Sequence, residues 1–269
     1  MNGIAQKDKH VADANEVEPK VLYKYGKFDE YTERRFTHNE LFFSSPYRFN
    51  DPFDSKVVLR CDGKAQQKEE YLCAQYKKKQ PTLSEEEIRA HVHGREEIIL
   101  NETLEKARDR LRNGLDVCCF TERRDDILMW AHYAGQHTGF CLEFDADNEF
   151  FARALRVKYG AIRAIINVLS LDSLSEGEVA KKLLIKARDW KHEQEWRIVD
   201  YGKGEEIQNF PAEALRGVIL GCKISPENKE NVLKWCSERK HAPTIYQAKE
   251  KEDHFGLDII RINDWEASG

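Results

Sequence analysis

Short apolar stretches with the two-residue period of strands alternate along the chain with longer charged stretches of helical spacing. The first nineteen residues are polar and unpatterned up to Pro19, which predicts a flexible arm over residues 1–19. VLYKY, Val21 to Tyr25, then has the β-branched and aromatic content of a strand. FDEYTERRFTHNE brings Phe28, Tyr31, Arg35 and Phe36 near one side of a helix. LFFSSP predicts a second strand, stopped by Pro46 and by the turn residues Asn50, Asp51 and Pro52. DVCCFT and TGFCLEFD read as strands on either side of the helical DDILMWAHYAG. From about Asp147 to Ala187 the spacing predicts a further helical region with a short strand near Val157. The tail from Gly217 predicts strand, helix, strand, loop and strand, with the helix opening at Ser225-Pro226-Glu227.

Between about Asp62 and Gly114 the pattern changes to long mixed-charge segments, which predicts a charged helical insert over residues 62–114. Ser84 followed by Glu87 has the spacing of a capping box. His91 and His93 are spaced i,i+2, so on a helix they point in different directions and read as surface histidines. Residues 20–269, with this insert inside them, read as a single α+β domain.

At 269 residues, 41% hydrophobic and 34% charged, the chain has enough apolar content for its own core and solvated helical faces around it. No apolar run reaches the ~18 residues of a membrane span, and the N-terminus lacks a hydrophobic signal core, so a cytoplasmic protein without membrane partners is expected. Seven cysteines without a C-x-x-C argue against a disulfide framework and a structural zinc site. A net charge of -5 gives no global footprint for nucleic acid.

Three stretches carry candidate chemistry. In DWKHEQEWRI, a strand starting near Glu193 would put Glu193, Glu195 and Arg197 on one face and Gln194, Trp196 and Ile198 on the core face. Such a face is either a solvated edge or a catalytic carboxylate pair with a cation. CCFTERRDDILMWAHYAGQHTGF gathers Thr121, Trp130, His132 and Tyr133 around a strand end and the following helix, where Met129, Trp130 and Tyr133 form either the core side or a stacking surface. SSPYRFNDPFD offers Ser44 as a hydrogen-bonding hydroxyl and Asp51 and Asp54 as ligands for a divalent ion, or simply a turn. Cys118-Cys119 lies in an apolar strand and reads as inert buried thiols. No P-loop, G-x-G-x-x-G, G-x-S-x-G or H-E-x-x-H is present.

With LYKY, LFFSSPYRFNDPFD, VCCFTERRDDILMWAHYAGQHTGFCLEFD and DWKHEQEWRI in that order, the chain resembles the bacterial DUF2971 family. More distantly it resembles the ADP-ribosyltransferase fold, in which an early strand, a middle strand with an aromatic-Ser/Thr element and a later Glu-x-Glu strand line a cleft for NAD. LYKY, CFT and HEQEW fall in that order. This resemblance implies a bent, split mixed β-sheet with NAD as cofactor-substrate. It makes Glu195 the catalytic glutamate, Glu193 its upstream partner, Thr121 the middle-strand hydroxyl, and Tyr133 or Tyr25 a nicotinamide-stacking ring. Tyr23, Ser44, Trp130, His132 and Arg197 would complete the binding surface. The chain departs from the pattern at the first motif, where Lys24 or Tyr25 stands in place of arginine or histidine.

The expected function is therefore an ADP-ribosyltransferase-like enzyme that cleaves the nicotinamide-ribose bond of NAD without a metal. A toxin or anti-phage effector is the expected setting, with the acceptor a protein, nucleic acid or small molecule. Two other classes compete: a divalent-metal nuclease using Asp51, Asp54, Glu143 and Glu195, and a non-enzymatic binding or regulatory module.

Overall fold

The computed structural model describes residues 18–202 and 205–262, without the side chains of residues 112 and 113. Most of the expected arm thus lies outside the described residues. In chain order the elements are β1 (Val21–Gly26), α1 (Thr32–Thr37), β2 (Glu40–Ser44) and β3 (Val58–Arg60), then α2 (Ala65–Lys79), α3 (Glu85–Val92) and α4 (Glu96–Asn113). They continue with β4 (Leu115–Thr121), α5 (Ile127–Tyr133), β5 (Phe140–Asp145), β6 (Leu155–Arg156), β7 (Lys158–Gly160), β8 (Ile165–Asn167), α6 (Glu176–Leu183) and β9 (Ile185–Ala187). The last are β10 (Glu195–Tyr201), β11 (Glu205–Asn209), β12 (Leu215–Leu220), α7 (Pro226–Ser237), β13 (Thr244–Glu250) and β14 (Leu257–Arg261). None of the described helices is long and apolar enough to cross a membrane.

Ten strands form one mixed sheet in the order β11-β2-β4-β1-β5-β12-β13-β14, with β10 beside β4 and β6 beside β10. Only β12 and β13 run parallel within it. Strand β4 is the branch point. One of its edges pairs with β10 from Leu115 to Thr121, while the other is shared between β2, at Ser44 opposite Val117, and β1, at Tyr23 opposite Thr121. A fork opens there between β1 and β4.

The strands near the centre are apolar on both sides because both faces are covered. In β5, Phe140, Leu142 and Phe144 enter a large aromatic core with Phe36 of α1 and Val232 of α7, whereas Cys141 enters a second core with Met129 and Trp130 of α5. Burying each such large side chain is worth roughly 1.5–3 kcal/mol relative to leaving it exposed. Trp196 and Ile198 take the core side of β10, as their alternation with Arg197 predicts.

Within residues 62–114, α2, α3 and α4 surround a small core of Leu72, Ile88 and Val92. The Ser84 hydroxyl accepts from the Glu87 N–H, and the Glu87 carboxylate accepts in return from the Ser84 N–H, so the capping box forms. Ser225 likewise caps α7 by accepting from the Asn228 N–H.

Two expectations fail. The helical region from Asp147 to Ala187 is mostly turns and short strands, with α6 its one α-helix. Strand pairing decides this: β6 lies against β10, β7 against β9 and β8 against β3. The strand expected from Glu193 begins instead at Glu195, after a 3₁₀ turn over Arg188–Glu193 and a left-handed Gln194 with φ of 44°. Strand β11 was not anticipated.

Candidate functional site

The fork between β1 and β4 holds a cavity of about 130 Å³ whose lining includes Tyr23 and Tyr25 of β1, Thr121 of β4 and Tyr133 of α5. Glu193 and Glu195 lie at its floor beside Lys186 and Asp54. Lys24 crosses the gap between the strands, its ammonium donating to the Cys119 carbonyl at 3.0 Å and resting 5.4 Å from the centre of the Phe120 ring. The sheet is locked at the point where its ladder has parted.

Each wall has a local cause. Asp126 caps α5 by accepting from the N–H groups of Leu128 and Met129, which sets the helix end that presents Tyr133. The left-handed residue at 194, a conformation that costs a non-glycine residue roughly 1–2 kcal/mol, turns the chain between the two glutamates. Both then reach the same ammonium group. The Thr121 hydroxyl fixes this turn by donating to the Glu193 carbonyl at 2.5 Å while accepting from the Arg123 N–H. The Tyr159 hydroxyl accepts from the Glu195 N–H at 2.8 Å.

Beneath the cavity is a buried ionic cluster. Lys186 Nζ lies 2.5 Å from Glu193 Oε2, 2.9 Å from Glu195 Oε2 and 3.3 Å from Asp54 Oδ2. Arg197 forks onto two carboxylates, with Nε and Nη2 at 2.7 and 2.8 Å from Glu195 and Nη1 and Nη2 at 2.8 and 2.7 Å from Asp54. Ser55 accepts from the same Nη1 at 2.7 Å, and Tyr133 donates to Glu193 Oε1 at 2.7 Å. Arg197 is 1% exposed and Glu193 2%, so the glutamate face is not the solvated side of a strand. Three carboxylates face two cations, which leaves one formal negative charge in excess.

Burial pushes the Glu195 carboxyl upward, but the Arg197 guanidinium, and then Lys186, outweigh it and hold the group down at about 2. Burial likewise lowers Lys186, yet Glu195, Asp54 and Glu193 together raise it, so it stays charged. Burial and then Glu193 raise the Tyr133 phenol, which remains a donor. Burial and then Glu195 push the Cys119 thiol well above its ordinary value, so it remains an un-ionised thiol.

A pH dependence of stability follows. Glu195 titrates lower in the folded chain than in the unfolded one, so its contribution is complete above the ordinary value of 4.5 and disappears as the pH falls towards about 2. Urea unfolding across that window should show a loss on the order of 3 kcal/mol from this group. Glu195→Gln should flatten the same slope, and an equally steep slope in the variant would contradict the assignment.

The eleven sequence candidates divide. Glu193, Glu195, Thr121, Tyr133 and the Tyr23 to Tyr25 run line the cavity. Arg197 lies under the floor. Trp130 is fully buried, packs edge-on to Tyr25 at 5.1 Å and donates its indole N–H to the Arg124 carbonyl, so it is part of the core. His132 is exposed near Trp190, and Ser44 donates to the Ser45 carbonyl; neither lines the cavity.

Of the carboxylates considered for a metal, Asp51 accepts from the Phe53 N–H in a turn, and Glu143 lies near Arg124. The space between Asp54, Glu193 and Glu195 is taken by the Lys186 ammonium. No cluster suited to a metal occurs among the described residues. Lys186 is the main residue that sequence reasoning missed, and its signal was a lone lysine in the apolar run LLIKA.

A sequence model of DUF2971, a family described as proteins of unknown function, matches residues 129–198, so the resemblance to that family stands over this stretch. The matched segment carries Tyr133, Lys186, Glu193, Glu195 and Arg197, leaving Asp54 as the one member of the ionic cluster outside it. No curated protein and no solved structure matches the chain.

Proposed function

We propose that the chain is an ADP-ribosyltransferase-like enzyme that binds NAD at the fork and breaks its nicotinamide-ribose bond. The observation that carries this reading is the convergence of three separate segments, Tyr23 to Tyr25, Thr121, and Glu193 with Glu195, on one small cavity at a split in a mixed sheet. Its size supports the reading too. At about 130 Å³ it is close to the roughly 150 Å³ cavity that holds one benzene ring, and well below the roughly 300–1,000 Å³ of a site that engulfs a whole ligand. The nicotinamide ring enters beside the tyrosines with the ribosyl carbon turned towards Glu195, and the rest of the dinucleotide lies at the mouth. An excess carboxylate in the floor favours a cationic ring over a neutral one.

In this mechanism the bond between ribose and nicotinamide breaks with its electron pair leaving on the nicotinamide nitrogen. The ribosyl carbon becomes positive, and ionised Glu195 stabilises that charge. Glu193, steadied by Tyr133 and Lys186, takes the proton that the acceptor oxygen or nitrogen loses as it bonds to the ribosyl carbon. The purified chain incubated with NAD should release nicotinamide faster than the spontaneous background, with or without a chelator. A rate equal to background with every class of acceptor supplied would overturn the proposal. An acceptor from a toxin or anti-phage setting belongs to the same reading.

A further inference from the structure

A second cavity, of about 190 Å³, lies between the segment leading into β3 and helix α4 of the insert. Val57, Leu59 and Leu111 supply apolar wall, with the Tyr47 ring beside them. Three cations surround it: Lys56, Arg108 and Arg163. Lys56 lies 5.5 Å from the Tyr47 ring centre and Arg163 6.0 Å from that of Phe53, a ring that is 62% exposed. Arg108 is ion-paired with Glu105, whereas among the described residues Lys56 and Arg163 face aromatic rings and no carboxylate within ion-pair distance. Asp54 also reaches this cavity, but Arg197 and Lys186 already engage its carboxylate oxygens. The cavity is therefore electropositive despite an acidic chain.

From these features we infer a second binding site, one for a nucleotide unit whose base fills the cavity and whose phosphate meets Lys56, Arg108 and Arg163. The combination of features selects this chemistry. A phosphate alone would leave the apolar wall unused, and a neutral ring would leave Lys56 and Arg163 without a counter-ion. A volume somewhat above the roughly 150 Å³ that holds benzene suits a single ring system. Exposed aromatic rings with cations over their faces are the pairing on which bases stack and phosphates dock. The unit is either a free nucleotide or part of a single strand, and the site stands whether or not the fork cavity turns over NAD.

Calorimetric titration of the full chain tests this with AMP, TMP, adenosine, inorganic phosphate and a short oligothymidylate. A nucleotide should bind saturably, with adenosine and phosphate each at least about tenfold weaker. Lys56→Ala combined with Arg163→Ala should weaken nucleotide binding by about tenfold or more at an unchanged melting temperature, since both side chains are exposed. Arg108→Ala is a second, independent variant with the same expected direction. Oligothymidylate binding more than about tenfold tighter than TMP assigns the unit to a strand, and comparable affinities assign it to a free nucleotide. The inference is overturned if neither nucleotide saturates, if adenosine or phosphate binds as tightly as the nucleotides, or if the variants bind like the native chain.

Discussion

Arg197→Met should lower the unfolding free energy by about 3–5 kcal/mol, the cost of stripping one partner from a buried ion network. The guanidinium makes paired contacts to Glu195 and Asp54, and its loss leaves three buried carboxylates facing the single ammonium of Lys186. Two uncompensated charges in a site this dry are expensive, and the chain must either protonate a carboxyl or open to water. Against a typical total of about 5–15 kcal/mol, the loss is large enough to read from a urea midpoint. Arg197→Lys should recover only part of it, because a single ammonium cannot fork onto two carboxylates. A loss below about 1 kcal/mol for Arg197→Met would mean that the cluster is not the buried, ionised assembly described above.

Glu195→Gln should leave the chain folded, at a cost on the order of 3 kcal/mol for the lost ion-paired charge, and should have its large effect on chemistry. Removing one negative charge leaves Asp54 and Glu193 balanced by Lys186 and Arg197. The amide keeps the shape of the carboxylate and can still accept from one cation. What it cannot do is stabilise a positive ribosyl carbon, and removal of one preorganised electrostatic group of this kind typically costs about 10²–10³ in rate. Arg197→Met thus tests the ion pairing through stability, and Glu195→Gln tests the proposed chemistry through the rate of the folded protein.

Much of this was legible in the sequence because strand periodicity is a local signal. VLYKY, DVCCFT and TGFCLEFD each alternate or run apolar, and each is a strand of the main sheet, to which the tail adds three more. HEQEW gave the convergence of Glu193 and Glu195, but for a different geometric reason. The two glutamates meet through a left-handed Gln194 and a 3₁₀ turn, which side-chain alternation does not describe. Asp54 read as a turn residue or a metal ligand because its partner, Arg197, lies 143 positions away. Lys186 stood out only as a lysine in an apolar run, since nothing in its own strand announces three carboxylates arriving from elsewhere. The stretch from Asp147 to Ala187 looked helical because its strands are only two or three residues long and exist through pairing with distant partners. Trp130 shows the converse: an aromatic on a promising helix whose indole N–H already has a carbonyl partner is a core residue.

The proposed chemistry of the ion-paired floor on NAD is read in nicotinamide release. The most direct measurement is the rate of nicotinamide release from NAD by the native chain and by Glu195→Gln at equal concentration, each shown folded at the assay temperature by its own cooperative thermal transition. Release by the native chain and a fall of about 10²–10³ in the variant are expected. No release by the folded native chain, or equal release by both, would contradict the proposed chemistry.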